Sequence, residues 1–127
     1  MNGSVLIIDD DNDILDLLYA YLQLEDFDVV GRGTDGLMAV NLYAELRPDF
    51  VIMDIAMPNY DGIYGLENIR KLNPNAIVLI LTGNSDNLIT EKIIQLKATK
   101  ILEKPYPAEK LVSLLKSLKN TVLCSDS

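Results

Sequence analysis

The chain has 127 residues, of which 49% are hydrophobic and 24% charged, with a formal net charge of -8. That length suits one domain around one core, and the balance excludes a disordered tail or a membrane protein, whose spans need about 20 consecutive apolar residues. The acidic excess also argues against nucleic acid as a direct partner, because phosphate binding needs clustered Lys and Arg; cations and basic proteins suit it better.

In chain order, residues 1–4 read as a disordered start, with no charged segment followed by a long apolar one, so no signal peptide is expected. A predicted strand over 4–9 carries Val5-Leu6-Ile7-Ile8 and stops at Asp9 and Asp10. A helix over 13–24 follows, with Ile14, Leu15, Leu17, Leu18, Tyr21 and Leu22 at helical spacing and Asn12 or Asp13 as its cap. A second strand over 27–31 mixes in polar residues, and the next helix over 35–46 carries Leu37, Val40, Ala44 and Leu46. After the turn Arg47-Pro48-Asp49, a strand over 49–54 ends at Asp54. Asp61-Gly62 precedes a helix over 63–72, and Asn73-Pro74-Asn75 separates it from a strand over 76–82 that ends at Thr82.

Gly83-Asn84 marks a turn into a fourth helix over 86–97. Its Leu88, Ile89, Ile93, Ile94 and Leu96 make an apolar stripe wider than one core contact requires. Either the helix is well buried, or it exposes a patch to a partner or a second copy of the chain, flanked by Lys92, Lys97 and Lys100. A short strand over 100–103 ends beside Lys104, and Pro107 suits the first position of a last helix running to about Leu118. Cys124, the single cysteine, can close no intramolecular disulfide, which fits a reducing compartment, the cytoplasm. Few residues follow the last helical turn near Asn120, so residues 1–127 are expected to form a single domain with a core over about 4–120.

Strict alternation of strand and helix implies parallel strands joined by right-handed crossovers. The first, third and fourth runs are continuously apolar, as strands covered on both faces must be, while the second and fifth read as edges. The expected fold is therefore α/β, a doubly wound three-layer (βα)5 sandwich on a five-stranded parallel sheet of order 2-1-3-4-5. That order places strands one and three side by side at the switch point, where Asp9, Asp10 and Asp54 converge.

Three convergent carboxylates repel one another and call for a cation or a raised pKa. Mg²⁺ fits, since it takes one or two carboxylates together with water and phosphate oxygens, and Mn²⁺ is an alternative. Asp54 is then placed to attack phosphorus, Lys104 to neutralise the transferred oxygens and Thr82 to donate a hydroxyl to them. Taken singly, each Asp reads equally well as a helix cap or turn residue, Lys104 as a solvated charge and Thr82 as a local hydrogen bonder. Their joint placement at four strand ends is the signal. An EF-hand is excluded, because Ile14 stands where the loop glycine belongs and Ala20 where its last ligand belongs.

Ile7-Ile8-Asp9-Asp10-Asp11, Met53-Asp54-Ile55-Ala56-Met57-Pro58-Asn59-Tyr60-Asp61-Gly62, Leu81-Thr82-Gly83 and Glu103-Lys104-Pro105-Tyr106 together resemble the response-regulator receiver domain of two-component signalling, from Val5 to about Leu118. The resemblance implies a flavodoxin-like topology and a phosphoacceptor role for Asp54, served by a histidine kinase or phosphotransfer protein. It implies Mg²⁺ held by Asp9, Asp10, Asp54 and the backbone carbonyl of Ala56, with Lys104 on the phosphoryl group and Thr82 moving towards it. It implies a cis Lys104-Pro105 peptide, and an output face on helix four, strand five and helix five. The protein would be a switch that catalyses only its own phosphorylation and dephosphorylation, not an enzyme acting on others.

One position departs from the family: Ile101 stands where receivers carry a Tyr or Phe that turns inward as the Thr moves. Ile101 reads either as a strand residue that simply packs at the sheet edge, or as a change that leaves phosphorylation intact and weakens or reroutes its coupling to the surface of helix four and strand five. A receiver-like interaction module without phosphate turnover remains the other reading. An Asp-nucleophile phosphatase would need a second acid where Ala56 stands, and a flavodoxin-like cofactor carrier would need a Ser/Thr/Gly-rich loop in place of Asp9-Asp10-Asp11.

Overall fold

Apolar residues alternate between two faces along every central strand, and that period of two decides the architecture. The structure, a computed structural model, describes residues 2–83 and 86–125. In it β1 (Ser4–Ile8), β2 (Asp28–Gly33), β3 (Phe50–Asp54), β4 (Val78–Thr82) and β5 (Lys100–Glu103) form one parallel sheet of order β2-β1-β3-β4-β5. Helices α1 (Asn12–Leu24), α2 (Gly36–Leu46), α3 (Gly62–Leu72), α4 (Asn87–Gln95) and α5 (Ala108–Ser125) connect and cover it. The expected doubly wound order is the observed one.

Val5 and Ile7 of β1, Phe50 and Ile52 of β3, and Leu79 and Leu81 of β4 face α1 and α5, meeting Leu15, Leu22, Leu111 and Leu115. Their alternate neighbours Leu6, Ile8, Val51, Met53, Val78 and Ile80 pack with Ala39, Tyr43, Leu66, Ile69 and Ile93 on the other face. Each fully buried aliphatic side chain contributes roughly 1.5–3 kcal/mol of transfer free energy, so the two layers stabilise the sheet from both faces.

Four helices start on aspartates. Asp11, Asp35, Asp61 and Asp86 each accept a backbone N–H of the following first turn, at 2.9, 2.9, 2.9 and 2.8 Å. These caps satisfy donors that the helix itself leaves open and favour the positive end of its dipole. Asp11, not Asn12 or Asp13, therefore caps α1: the helix begins one residue earlier than its apolar periodicity suggests.

Other boundaries shift for equally local reasons. Asn2 is tied to the turn before β2, its N–H on the Asp26 carbonyl at 2.7 Å and its side-chain amide on the Glu25 carbonyl at 2.8 Å, so residues 2–4 are ordered. The disordered start expected there is corrected for residues 2–4, and Met1 lies outside the described residues. β2 continues to Gly33 because Arg32 and Gly33 pair with Ile7 and Ile8 after a register shift between Val5 and Leu6. The Pro107 carbonyl accepts the N–H groups of Lys110 and Leu111, so Pro107 caps α5 where the sequence places it one position inside. That helix runs on to Ser125, beyond the expected end. Asn84 of the expected Gly83-Asn84 turn and the side chain of Cys124 lie outside the described residues.

The wide apolar stripe of α4 divides. Ile93 is fully buried, Ile89 and Leu96 are half-buried, and Leu88 and Ile94 are 76% and 60% exposed. At 100° per residue the two exposed side chains lie on opposite flanks of the outer face, with Asn87, Glu91 and Gln95 between them. α4 is neither well buried throughout nor the carrier of one continuous patch.

Candidate functional site

Parallel pairing carries four strand ends to one edge of the sheet. Ile8 pairs with Met53, Asp54 with Leu81 and Thr82 with Glu103, so the residues that end or follow β1, β3, β4 and β5 line up there. Asp9, Asp54 and Thr82 are almost completely buried, at 2%, 6% and 6% exposure, while Asp10 reaches solvent. Carboxylate oxygens of Asp9, Asp10 and Asp54 lie within 4.8 Å of one another.

Lys104 reaches into this cluster from the end of β5. Its Nζ lies 3.0 Å from Asp9 Oδ2 and 3.3 Å from Asp54 Oδ2. The backbone fixes its root: the Lys104 N–H donates to the Thr82 carbonyl at 2.9 Å, and the Lys104-Pro105 peptide is cis, as the resemblance implied. Asp9 is held from the other side, its Oδ1 accepting the Asp11 N–H at 2.9 Å.

Electrostatics follow from this packing. Burial raises the Asp54 carboxyl above its ordinary 3.8, opposed by the Lys104 charge and reinforced by Asp9. Burial would lower the Lys104 ammonium, but its hydrogen bond to Asp9 and the charge of Asp54 outweigh that and raise it. Three carboxylates against one ammonium leave an excess of negative charge in a largely buried recess. Hard oxygen donors, crowded and under-neutralised, are the donor set a divalent cation such as Mg²⁺ takes. The residues present fit that ion.

Asp9, Asp10, Asp54, Thr82 and Lys104 are thus brought to one place. Ala56, two residues beyond Asp54, is exposed in the loop leading to α3. Ile101 is half-buried on β5, pairs with Ile80 and packs on the cluster under α3 and α4, as expected of a sheet-edge residue. Two contributors escaped the sequence reading. Asp11 doubles as the α1 cap and the donor to Asp9, and Gly62 presses on the Asp54 backbone; in the sequence both fall within the motifs of the family resemblance, which attach no role at the site to either. Among the described residues no helix is long and apolar enough to cross a membrane.

Comparison with known proteins agrees with this geometry. Residues 5–116 match the model of the response regulator receiver domain. The chain is 32% identical over 115 residues to the chemotaxis protein CheY of Thermotoga maritima, covering 91% of this chain and 96% of that one. A LuxR-family DNA-binding response regulator from Staphylococcus aureus superposes with a TM-score of 0.85 at 29% identity, over 92% of this chain and 98% of that one. A chain of the CheX-CheY-BeF3-Mg complex from Borrelia burgdorferi gives 0.83 at 28% identity, over 91% of this chain and 87% of that one. Sheet order, acidic edge and matched residues converge on one assignment: the chain belongs to the response regulator receiver domain family of two-component signalling.

Proposed function

We propose that this receiver accepts a phosphoryl group on Asp54 from the phosphohistidine of a kinase or phosphotransfer protein. The observation that carries the reading is the buried Asp54 carboxylate, 3.3 Å from the Lys104 ammonium and within 4.8 Å of the Asp9 and Asp10 oxygens. An Asp54 oxygen attacks phosphorus, the P–N bond to the donor imidazole breaks, and an acyl phosphate forms as the imidazole leaves. None of the 127 residues is a histidine, so the donor imidazole lies outside them.

Asp9, Asp10, Asp54 and the Ala56 carbonyl are the residues proposed to hold Mg²⁺, or Mn²⁺ in its place; when bound, the ion supplies positive charge to the phosphoryl oxygens. The similar Borrelia CheX-CheY complex, which holds BeF3 and Mg, supports this use of the site. Lys104 pairs with a phosphoryl oxygen and so gives up its present bonds to the carboxylates. Thr82, ending β4 beside Asp54, offers its hydroxyl to another. Driving a switch from 1:99 to 99:1 takes about 5.5 kcal/mol of differential stabilisation, and these charge-assisted bonds are its source. The α4, β5 and α5 face then meets an output partner or a second copy, in the cytoplasm.

Mass spectrometry after incubation with acetyl phosphate and Mg²⁺ tests the reading. Wild type should gain one phosphoryl group and Asp54→Ala none. An adduct on Asp54→Ala would overturn the acceptor, and an unmodified wild type would favour an interaction module without phosphate turnover.

A further inference from the structure

Gly62 opens α3, yet its φ lies outside the left-handed region, so conformational freedom is not what keeps a glycine there. Alanine is the better helix former. Space decides instead: a Cβ at position 62 would collide with the Asp54 carbonyl oxygen and lie 2.8 Å from Ile55 Cα and 3.0 Å from the Asp54 carbonyl carbon. All three are backbone atoms, so no rotamer change can relieve the contact.

The same glycine also bonds to this segment, its N–H donating to the Ile55 carbonyl at 2.9 Å. From the opposite side, the Ile55 N–H donates to the Leu81 carbonyl of β4 at 3.2 Å. The Asp54-Ile55 peptide is therefore clasped between β4 and the first residue of α3. Further out, the Gly36 N–H donates to the Tyr60 carbonyl at 2.7 Å, and a Cβ on Gly36 would collide with the Asp61 carbonyl oxygen. The loop from Ile55 to Asp61 is thus tied at both ends, to β4 and α3 at Ile55 and to α2 at Tyr60.

We infer that Gly62 is a positioning residue for the phosphoacceptor: its bare Cα sets where the Asp54 carboxylate stands against Asp9, Asp10 and Lys104. This rests on the reading of Asp54 as the acceptor. Gly65, one turn further along α3, provides the control. A Cβ there would meet Met53 Sδ at 2.7 Å and Cε at 3.0 Å, the terminal atoms of a buried but flexible side chain, with the nearest backbone atom of another element, Gly36 Cα, at an ordinary 3.4 Å.

The test compares wild type, Gly62→Ala and Gly65→Ala by urea denaturation, Mg²⁺ titration and phosphorylation at saturating acetyl phosphate. Small misplacements of a reacting group carry large rate penalties, so Gly62→Ala should lower the phosphorylation rate constant about tenfold or more and weaken Mg²⁺ binding. Gly65→Ala should lose stability yet keep both within about twofold of wild type. A Gly62→Ala protein phosphorylated at the wild-type rate overturns the inference, as does a Gly65→Ala protein slowed equally at equal stability. If Gly62→Ala does not fold in buffer, the measurements are repeated in sucrose, which favours the native state. Failure to fold there too would make Gly62 a folding residue and not a positioning one. Wild type that neither binds Mg²⁺ nor takes up phosphoryl would remove the acceptor reading itself, and Gly62's role with it.

Discussion

At the residue scale, Asp54 and Lys104 hold opposite charges in a recess that neutralises them incompletely. Because the folded protein raises the Asp54 carboxyl, chiefly by burial, it holds that proton more tightly than the unfolded chain does. The sign follows: the Asp54 contribution to stability falls as pH rises from the ordinary 3.8 through the higher folded value. In Mg²⁺-free buffer, Asp54→Asn should be more stable than wild type at neutral pH, and urea midpoints should converge as pH approaches 3.8. A gap that widens on acidification would contradict the shift. Lys104→Met should separate binding from chemistry. Losing charge-assisted bonds at 3.0 and 3.3 Å should destabilise the Mg²⁺-free protein by about 1–3 kcal/mol. The ammonium also competes with a cation for the same oxygens, so calorimetry should show tighter Mg²⁺ binding while phosphorylation by acetyl phosphate slows.

At the element scale, α4 is the lightly held member of its layer, with Ile93 its one fully buried side chain. Its far end is secured instead by Arg70 of α3. Arg70 Nη1 donates to the Ala76 carbonyl just before β4, and Nη2 to the carbonyl of Lys97, the residue with φ of 61° that closes α4, both at 2.6 Å. A non-glycine residue in left-handed backbone is strained, and this bond holds it. Arg70→Leu leaves two carbonyls without their donor and should lower stability by about 2 kcal/mol. Hydrogen exchange should accelerate at residues 96–98; unchanged protection there would deny the anchor. Sequence periodicity located α4 but could not tell which side of it faces out. Leu88, Ile93 and Ile94 are alike in hydropathy, and only packing against α3 and β4 ranks them. Nor does any local pattern join Arg70 to a carbonyl 27 residues away.

At the scale of the whole molecule, a cation that binds the folded edge and not the open chain stabilises the fold by linkage. Mg²⁺ at about 100 times its dissociation constant should add about 2.7 kcal/mol, and EDTA should reverse the shift in urea midpoint. No response to Mg²⁺ would remove the metal from the proposal.

Much of this molecule was legible before folding. Periods of two and near 3.6, strict βα alternation and two polar-flanked runs were enough for the sheet order, because buried parallel strands must be apolar on both faces. The same logic located Asp9, Asp10, Asp54, Thr82 and Lys104, since a strand that stops at a polar residue presents it at the sheet edge. What tertiary structure alone decided lies in distances across the fold: the grip of Lys104 on two carboxylates about 50 and 95 residues away in the chain, and the bare Cα of Gly62 against the Asp54 main chain. Sequence patterns report which face a residue turns to the core, but not how closely two main chains approach. That closeness is set only when the sheet and its helices have packed.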